Sequence, residues 1–250
     1  AGYLKGSLIA SSNAVVFSYV LYLIGKYSYK VPSVKLNKII RKWIFMSTIT
    51  GFYTGSTESA VEKQFADLRK ISKAEDFISY LDTIISNRFT DDYFTVSLPS
   101  ELNSSSATSP AWYGYVAALN VLGTPMLFST EPLSQYFIMG TNGDKSAIDK
   151  HHIFPKHYLQ SIGYDDDRDR NQIANFTYLD YVTNIDISDA SPLEYVQEYR
   201  QKLGQEAFNL TCEQNALPLN FETLSYSDFL KQRRLLMAQI IKKAYAKLDS

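Results

Sequence analysis

Apolar residues recur every three or four positions through most of the chain, and that spacing predicts helices. The run "SVKLNKIIRKWIFMSTITGFY" (33–53) carries it and ends near Gly51 and Gly55. "STESAVEKQFADLRKI" (56–71) opens on Ser/Thr with an early Glu, the composition of a helix start. Its Val61, Phe65 and Leu68 then fall on one face. "AEDFISYLDTIISNRF" (74–89) repeats the scheme through Phe77, Leu81, Ile84 and Ile85. "SELNSSSATSP" (100–110) breaks the pattern and reads as a mobile loop or linker. "AWYGYVAALNVLG" (111–123) restores a helix, with Pro110 near its first turn. Two further runs close the chain. "SPLEYVQEYRQKLGQEAFNL" (191–210) places Ser191 and Pro192 at N-cap and N1, and "SDFLKQRRLLMAQIIKKAYAKL" (227–248) follows it.

The period changes after residue 136. "SAIDKHHIFP" and "NQIANFTYLD" are short β-prone runs separated by the acidic loop "GYDDDRDR". The predicted fold is therefore mainly α (α+β). A helical domain spans 1–135, a strand–loop–strand–helix unit is inserted over 136–200, and C-terminal helices over 201–250 pack on the helical body. No internal repeat interrupts this layout.

One stretch, "GSLIASSNAVVFSYVLYLIG" (6–25), is uncharged over a length close to a bilayer span. Four serines and Asn13 dilute it, so it reads as a buried core helix and no membrane partner is expected. The net charge of −1 offers no global attraction for a polyanion, so any nucleic-acid contact must come from a local basic patch. Cys212 is the single cysteine. It excludes an intramolecular disulfide, fits a reducing, cytoplasmic compartment, and reads as a small buried hydrophobe. The chain begins Ala-Gly without methionine or a signal-peptide pattern and reads as part of a longer protein. It contains no phosphate loop of the G-x-x-x-x-G-K-[ST] type.

The chemistry is concentrated in "DKHHIFPKHYL" (149–159), which holds all three histidines: His151, His152 and His157. On a strand, His151 and His152 point to opposite sides. At a strand end before a proline the alternation can break, and both rings can approach one polar site. Asparagines follow at 171, 175 and 184, and Asn184 begins or sits on the helix after the second strand. An amide oxygen binds a hard cation. An imidazole and an amide add no formal charge, so such a pair holds a divalent ion weakly until a phosphate supplies negative oxygens. One histidine on the metal, one as general base, and a metal that polarises the phosphate make a phosphodiesterase.

His-His-Ile-x-Pro followed by Asn175 and, nine residues on, Asn184 resembles the HNH, or ββα-metal (His-Me finger), nucleases. The resemblance implies that 136–200 is a ββα-metal unit, that His152 activates water, and that His151 and Asn184 bind Mg2+ or Mn2+. It implies that Asn175 holds the loop that orients the base. The wider frame "HHIFPKHYL…RNQIANFTYLD…N…SPLEYV", behind "FYTGSTESAVEKQFADLRKI", is similar to one group within that family. The frame looks like the C-terminal nuclease half of Gmr-type modification-dependent (type IV) restriction proteins and related phage-defence proteins. That likeness implies a metal-dependent endonuclease or nickase acting on double-stranded, modified DNA. It also implies an N-terminal nucleotide-binding sensor domain outside this chain.

Two departures from the pattern matter. No Lys or Arg lies between Arg170 and Arg200, and residue 188 is Ser where a third helix-borne nitrogen ligand would stand. The second favours a labile Mg2+ or Mn2+ site over tight zinc. Lys150, Lys156, Arg168 and Arg170 surround the motif and are candidates for the DNA backbone. The C-terminal helix offers Lys231, Arg233, Arg234, Lys242, Lys243 and Lys247, or else an ordinary solvated face. Asp149 is a candidate to orient His151; Asp165, Asp166 and Asp167 read as solvated loop, and His157 as a residue of the surface or of the layer behind the ligands, with contact to phosphate as its alternative. Two other readings stay open: a non-catalytic DNA-binding or assembly module with a decayed motif, and an RNase using the same site.

Overall fold

Two tryptophans with essentially no exposure, Trp43 and Trp112, mark the centre of the helical body. The computed structural model describes residues 1–106, 108–138 and 148–249. Among them the first helices are α1 (Ser12–Leu23), α2 (Ser33–Ile49), α3 (Thr57–Leu68) and α4 (Ala74–Arg88). Then come α5 (Leu98–Glu101), α6 (Pro110–Leu122) and α7 (Leu133–Ile138). Strand β1 (Ile148–His152) leads to α8 (Lys156–Ser161) and α9 (Asp167–Arg170), and β2 (Phe176–Asp180) follows. The chain closes with α10 (Tyr181–Ile187), α11 (Pro192–Leu203), α12 (Gln205–Gln214) and α13 (Tyr226–Lys247). The molecule is mainly helical with one small two-stranded sheet.

The apolar periodicity buries Phe77, Leu81 and Ile85 of α4, and Val61 and Leu68 of α3. Helix α2 packs against α1, α4 and α6, while α13 lies along α6. At Gly114 helix α6 leaves no room for a side chain against α2: a Cβ there would stand 2.5 Å from Cγ1 of Ile49. Capping chemistry explains several boundaries. Ser109 caps α6 by accepting from the Trp112 amide, with Pro110 at N1. Ser191 and Glu194 close a reciprocal capping box at α11.

Four sequence expectations change. Residues 6–25 do not form a buried core helix. Helix α1 starts at Ser12 and buries only the stripe Ala14, Ser18 and Leu21, leaving Val15, Val16 and Tyr19 exposed. Among the described residues, no helix is long and apolar enough to cross a membrane. The run 191–210 is two helices, because Gly204 takes φ 79 and ψ 156, outside any helical conformation. The acidic loop contains α9, whose Asp166 caps it by accepting from the Arg168 amide at 2.7 Å. The segment 100–110 is anchored at one end: the Ile173 amide donates to Ser104 O at 2.8 Å, and Arg234 donates to Asn103 Oδ1 at 2.9 Å.

Strands β1 and β2 are antiparallel in a register that sets Ile148 opposite Asp180 and His152 opposite Phe176. Trp112 of α6 stacks on Tyr178 and meets Phe176 edge-on, so the sheet rests on the helical body through β2. Between the strands the chain makes an excursion through α8 and α9 and returns to pair with its own starting point.

Gly114→Ala should destabilise the protein by about 1–3 kcal/mol through overpacking against Ile49. In an Ile49→Ala background the same change should cost less, because the clashing carbon is gone. Thermal melts of the four chains of this cycle check it; equal costs in both backgrounds would place the strain elsewhere.

Candidate functional site

The site is assembled where β1 ends. The chain leaves the strand at His152 and immediately buries Ile153 and Phe154. Phe154 packs between Tyr226 and Phe229 of α13. A buried turn of this kind needs partners for its backbone, and Asn175, itself fully buried, provides them. Its Oδ1 accepts from the Phe154 amide at 2.8 Å, and its Nδ2 donates to Phe154 O at 3.0 Å and to Arg170 O at 3.2 Å. Its carbonyl accepts from the Ile153 amide at 2.8 Å. Tyr195 adds a bond to Ile153 O at 2.7 Å and Tyr226 one to Asp169 O at 2.8 Å.

Helix α10 begins directly after β2 because Asp180 caps it. Asp180 Oδ1 accepts from the Thr183 amide at 2.9 Å, and Oδ2 from the Thr183 hydroxyl at 2.8 Å. One turn in, Asn184 faces β1, and its Oδ1 lies 2.6 Å from His151 Nδ1. His151 therefore looks to the helix. His152 and Lys150 look the other way, onto Phe176: the His152 ring meets it at 4.8 Å and the Lys150 ammonium sits 4.9 Å from its centroid. The strand alternation thus persists, yet at the strand end His151 and His152 line one cleft of about 240 Å³ with Lys150, Lys156, His157 and Ser188. A larger groove of about 720 Å³ beside Leu217, Leu219 and Leu235 contains no histidine.

Asn171 was a residue without an assigned role in the sequence, and it touches the centre of this site. Its Oδ1 lies 3.0 Å from His152 Nε2. An amide oxygen only accepts, so Nε2 carries the proton and the lone pair sits on Nδ1. Burial pushes the His152 pKa down to about 4, with Lys156, His151 and Lys150 adding to the shift and the Asn171 bond opposing it. The ring is neutral at pH 7 and holds a fixed tautomer. Burial also lowers the pKa of Lys150.

The basic candidates separate. Lys150 and Lys156 line the cleft. Arg170 does not: its guanidinium pairs with Asp167 at 2.9 Å and is largely covered. Arg168 is exposed on α9 and is absent from the cleft lining. On α13, Arg233 is fully buried and cannot meet DNA, which corrects its place in the basic cluster. Arg234 bonds Asn103 and Lys242 pairs with Asp91. Asp165, Asp166 and Asp167 are all exposed. The side chain of Asp149 lies outside the described residues.

Among the described residues, no three His, Cys, Asp or Glu side chains gather as a metal cage. The imidazole of His151 and the amide oxygen of Asn184 meet at the strand end, with the Asp189 carboxylate on the same cleft. That composition suits a hard, exchangeable ion rather than structural zinc. As they stand, His151 Nδ1–H donates to Asn184 Oδ1, and an ion between them would take the place of that proton.

No family model matches the chain, and no solved structure does. It is similar to an uncharacterized protein of Methanocaldococcus jannaschii, MJ0686, at 27% identity over 160 residues. The match covers 64% of this chain and 25% of that protein, so the chain spans about a quarter of its relative's length.

Asn175→Ala should lower stability by about 2–5 kcal/mol, since it strands the buried polar groups of Phe154. Asn175→Asp should be no better, because a carboxylate cannot donate to Phe154 O and Arg170 O. Thermal melts decide: an aspartate variant as stable as the parent would mean that the clamp holds nothing.

Proposed function

We propose that this chain is a Mg2+- or Mn2+-dependent DNA endonuclease or nickase of the ββα-metal type, with His152 as general base. The observation that supports the reading is the convergence at one strand end of the His151–Asn184 pair and a neutral His152 of fixed tautomer. DNA as substrate class, and a nucleotide-binding sensor domain as partner in restriction of modified DNA, come from the resemblance of the motif.

In this reading His151 would hold the metal through Nδ1 once the proton that Nδ1 now donates to Asn184 Oδ1 has moved off that nitrogen, and Asn184 Oδ1 would be the second ligand. When bound, the metal polarises the phosphodiester and offsets the negative charge that develops on it. His152 Nδ1 takes the proton of the attacking water while Asn171 keeps the imidazole from turning. The pKa of about 4 makes the ring a weak base as it stands. A phosphate in the cleft would offset the repulsion from Lys150 and Lys156 and raise it, while the burial that dominates the shift stays. Those two lysines contribute charge to the scissile phosphate, and Asn175 keeps the base loop rigid.

The protein should nick supercoiled plasmid with Mn2+ and leave it intact in EDTA. His152→Ala should lose roughly two to four orders of magnitude in rate with its melting curve preserved. Plasmid that stays intact across a full Mn2+ titration would leave a non-catalytic DNA-binding or assembly module. Cleavage of RNA alone would assign an RNase.

The two metal donors predict a separate pattern. Asn184→Ala should raise the Mn2+ concentration needed for any remaining activity, while Asn184→Asp should keep activity because a carboxylate also binds hard cations. The parent should melt alike with and without EDTA, unlike a domain folded around structural zinc. A parent-like titration of Asn184→Ala, or collapse in EDTA, would overturn this metal assignment.

A further inference from the structure

Helix α13 carries an apolar stripe through Phe229, Met237 and Ile241, and Arg233 stands in the middle of it, fully buried. Its Nη1 donates to Ala174 O at 2.9 Å. Among the described residues no carboxylate pairs with it; the Tyr115 hydroxyl is its other hydrogen-bond neighbour, and its guanidinium lies 5.9 Å from the Phe229 ring centroid. Tyr115 and Tyr195 are its titratable neighbours. A guanidinium keeps its proton even so, and a buried cation without a carboxylate partner opposes folding where leucine or methionine would fill the same space. Packing does not account for an arginine here. What it supplies that an apolar residue cannot is a charged donor aimed at one carbonyl.

That carbonyl lies inside the short segment that carries two of the site's three asparagines. Asn171 holds the His152 ring, and Asn175 holds the backbone just beyond it. The same segment is tied to the helical body at Ile173, whose amide donates to Ser104 O. We infer that Arg233 is a positioning residue: by gripping Ala174 O from the core it fixes segment 171–175, and through Asn171 and Asn175 it sets the place of the His152 ring. As a statement about base positioning, this rests on the nuclease reading. The geometry it invokes can be measured without activity.

The test uses Arg233→Met, which keeps length and packing, and Arg233→Lys, which keeps a charged donor. Hydrogen exchange at the Ile153 and Phe154 amides reports the clamp, and helix α6 amides serve as reference. Arg233→Met should melt within a few degrees of the parent. Its Ile153 and Phe154 amides should exchange at least tenfold faster, with the α6 amides unchanged. Its cleavage rate at saturating plasmid and Mn2+ should fall at least tenfold, with the Mn2+ midpoint unmoved because His151 and Asn184 are untouched. Arg233→Lys should recover part of both rate and protection.

Unchanged protection in a folded Arg233→Met would overturn the inference whatever the parent's activity. If that variant does not fold, Arg233→Lys decides. Selective loss of protection at Ile153 and Phe154 supports positioning, and a uniform loss across all core amides overturns it in favour of general stability. An inactive parent with selective loss in the variant removes the nuclease reading and leaves the positioning of His152 standing.

Discussion

Everything around the histidine pair hangs on one amide, that of Asn175. It satisfies buried backbone on both sides of the excursion between the strands, and each of its side-chain contacts uses a capacity that no other residue combines at that length. Its oxygen accepts from Phe154; its nitrogen donates to Phe154 and Arg170. Aspartate lacks the donors, leucine lacks both functions, and glutamine is one methylene too long. The result is that residues 153–154 and 170–175 behave as one rigid piece. Tyr195 and Tyr226 then fasten that piece to α11 and α13. A ring one residue before such a piece inherits its precision, and His152 is that ring.

The sequence announced the helices whose caps and apolar stripe agree, such as α6 with Ser109 and Pro110 and α11 with Ser191 and Glu194. It announced the two strands and a helix carrying Asn184 after the second. It did not announce Asn171, because the contact with His152 depends on the path of an excursion that local pattern does not encode. Arg233 left a readable trace: a charged residue between Phe229 and Met237, on the stripe that must face α6. Counting positive charges along the helix grouped it with its solvated neighbours and hid that phase. Helix α1 misled in the opposite direction, since an uncharged run says nothing about which of its sides a partner covers. The break at Gly204 was marked by the glycine itself, but a single glycine inside a periodic run is often tolerated.

Electrostatics at the cleft are local. With a net charge of −1 the molecule has no long reach toward a polyanion. Helix α10 presents Tyr181, Val182 and Ile185 to solvent and carries no cation of its own. Attraction for a phosphate at this place therefore falls to Lys150 and Lys156, against Asp189 on the same cleft, and both lysines add to the burial that chiefly holds His152 neutral. The charges that would welcome an anion thus also help to suppress a proton on the ring.

The excursion between the strands has a last consequence, for how such a chain can vary. Because Asn175 closes the loop at its base and Leu159 and Tyr164 pack it from within, the path from Pro155 to Asp169 is held by side chains other than those of the exposed turn at Ile162 and Gly163. Gly163 at that turn has φ 96, is exposed, and has open space where a side chain would stand. The entropy of closing a loop grows only with the logarithm of its length. Extra residues at Gly163 would thus add little to the cost of folding and leave the histidines where they are. Kindred chains are free to carry connectors of very different length between their two strands, and an aligner scoring gaps would see divergence where the architecture is unchanged.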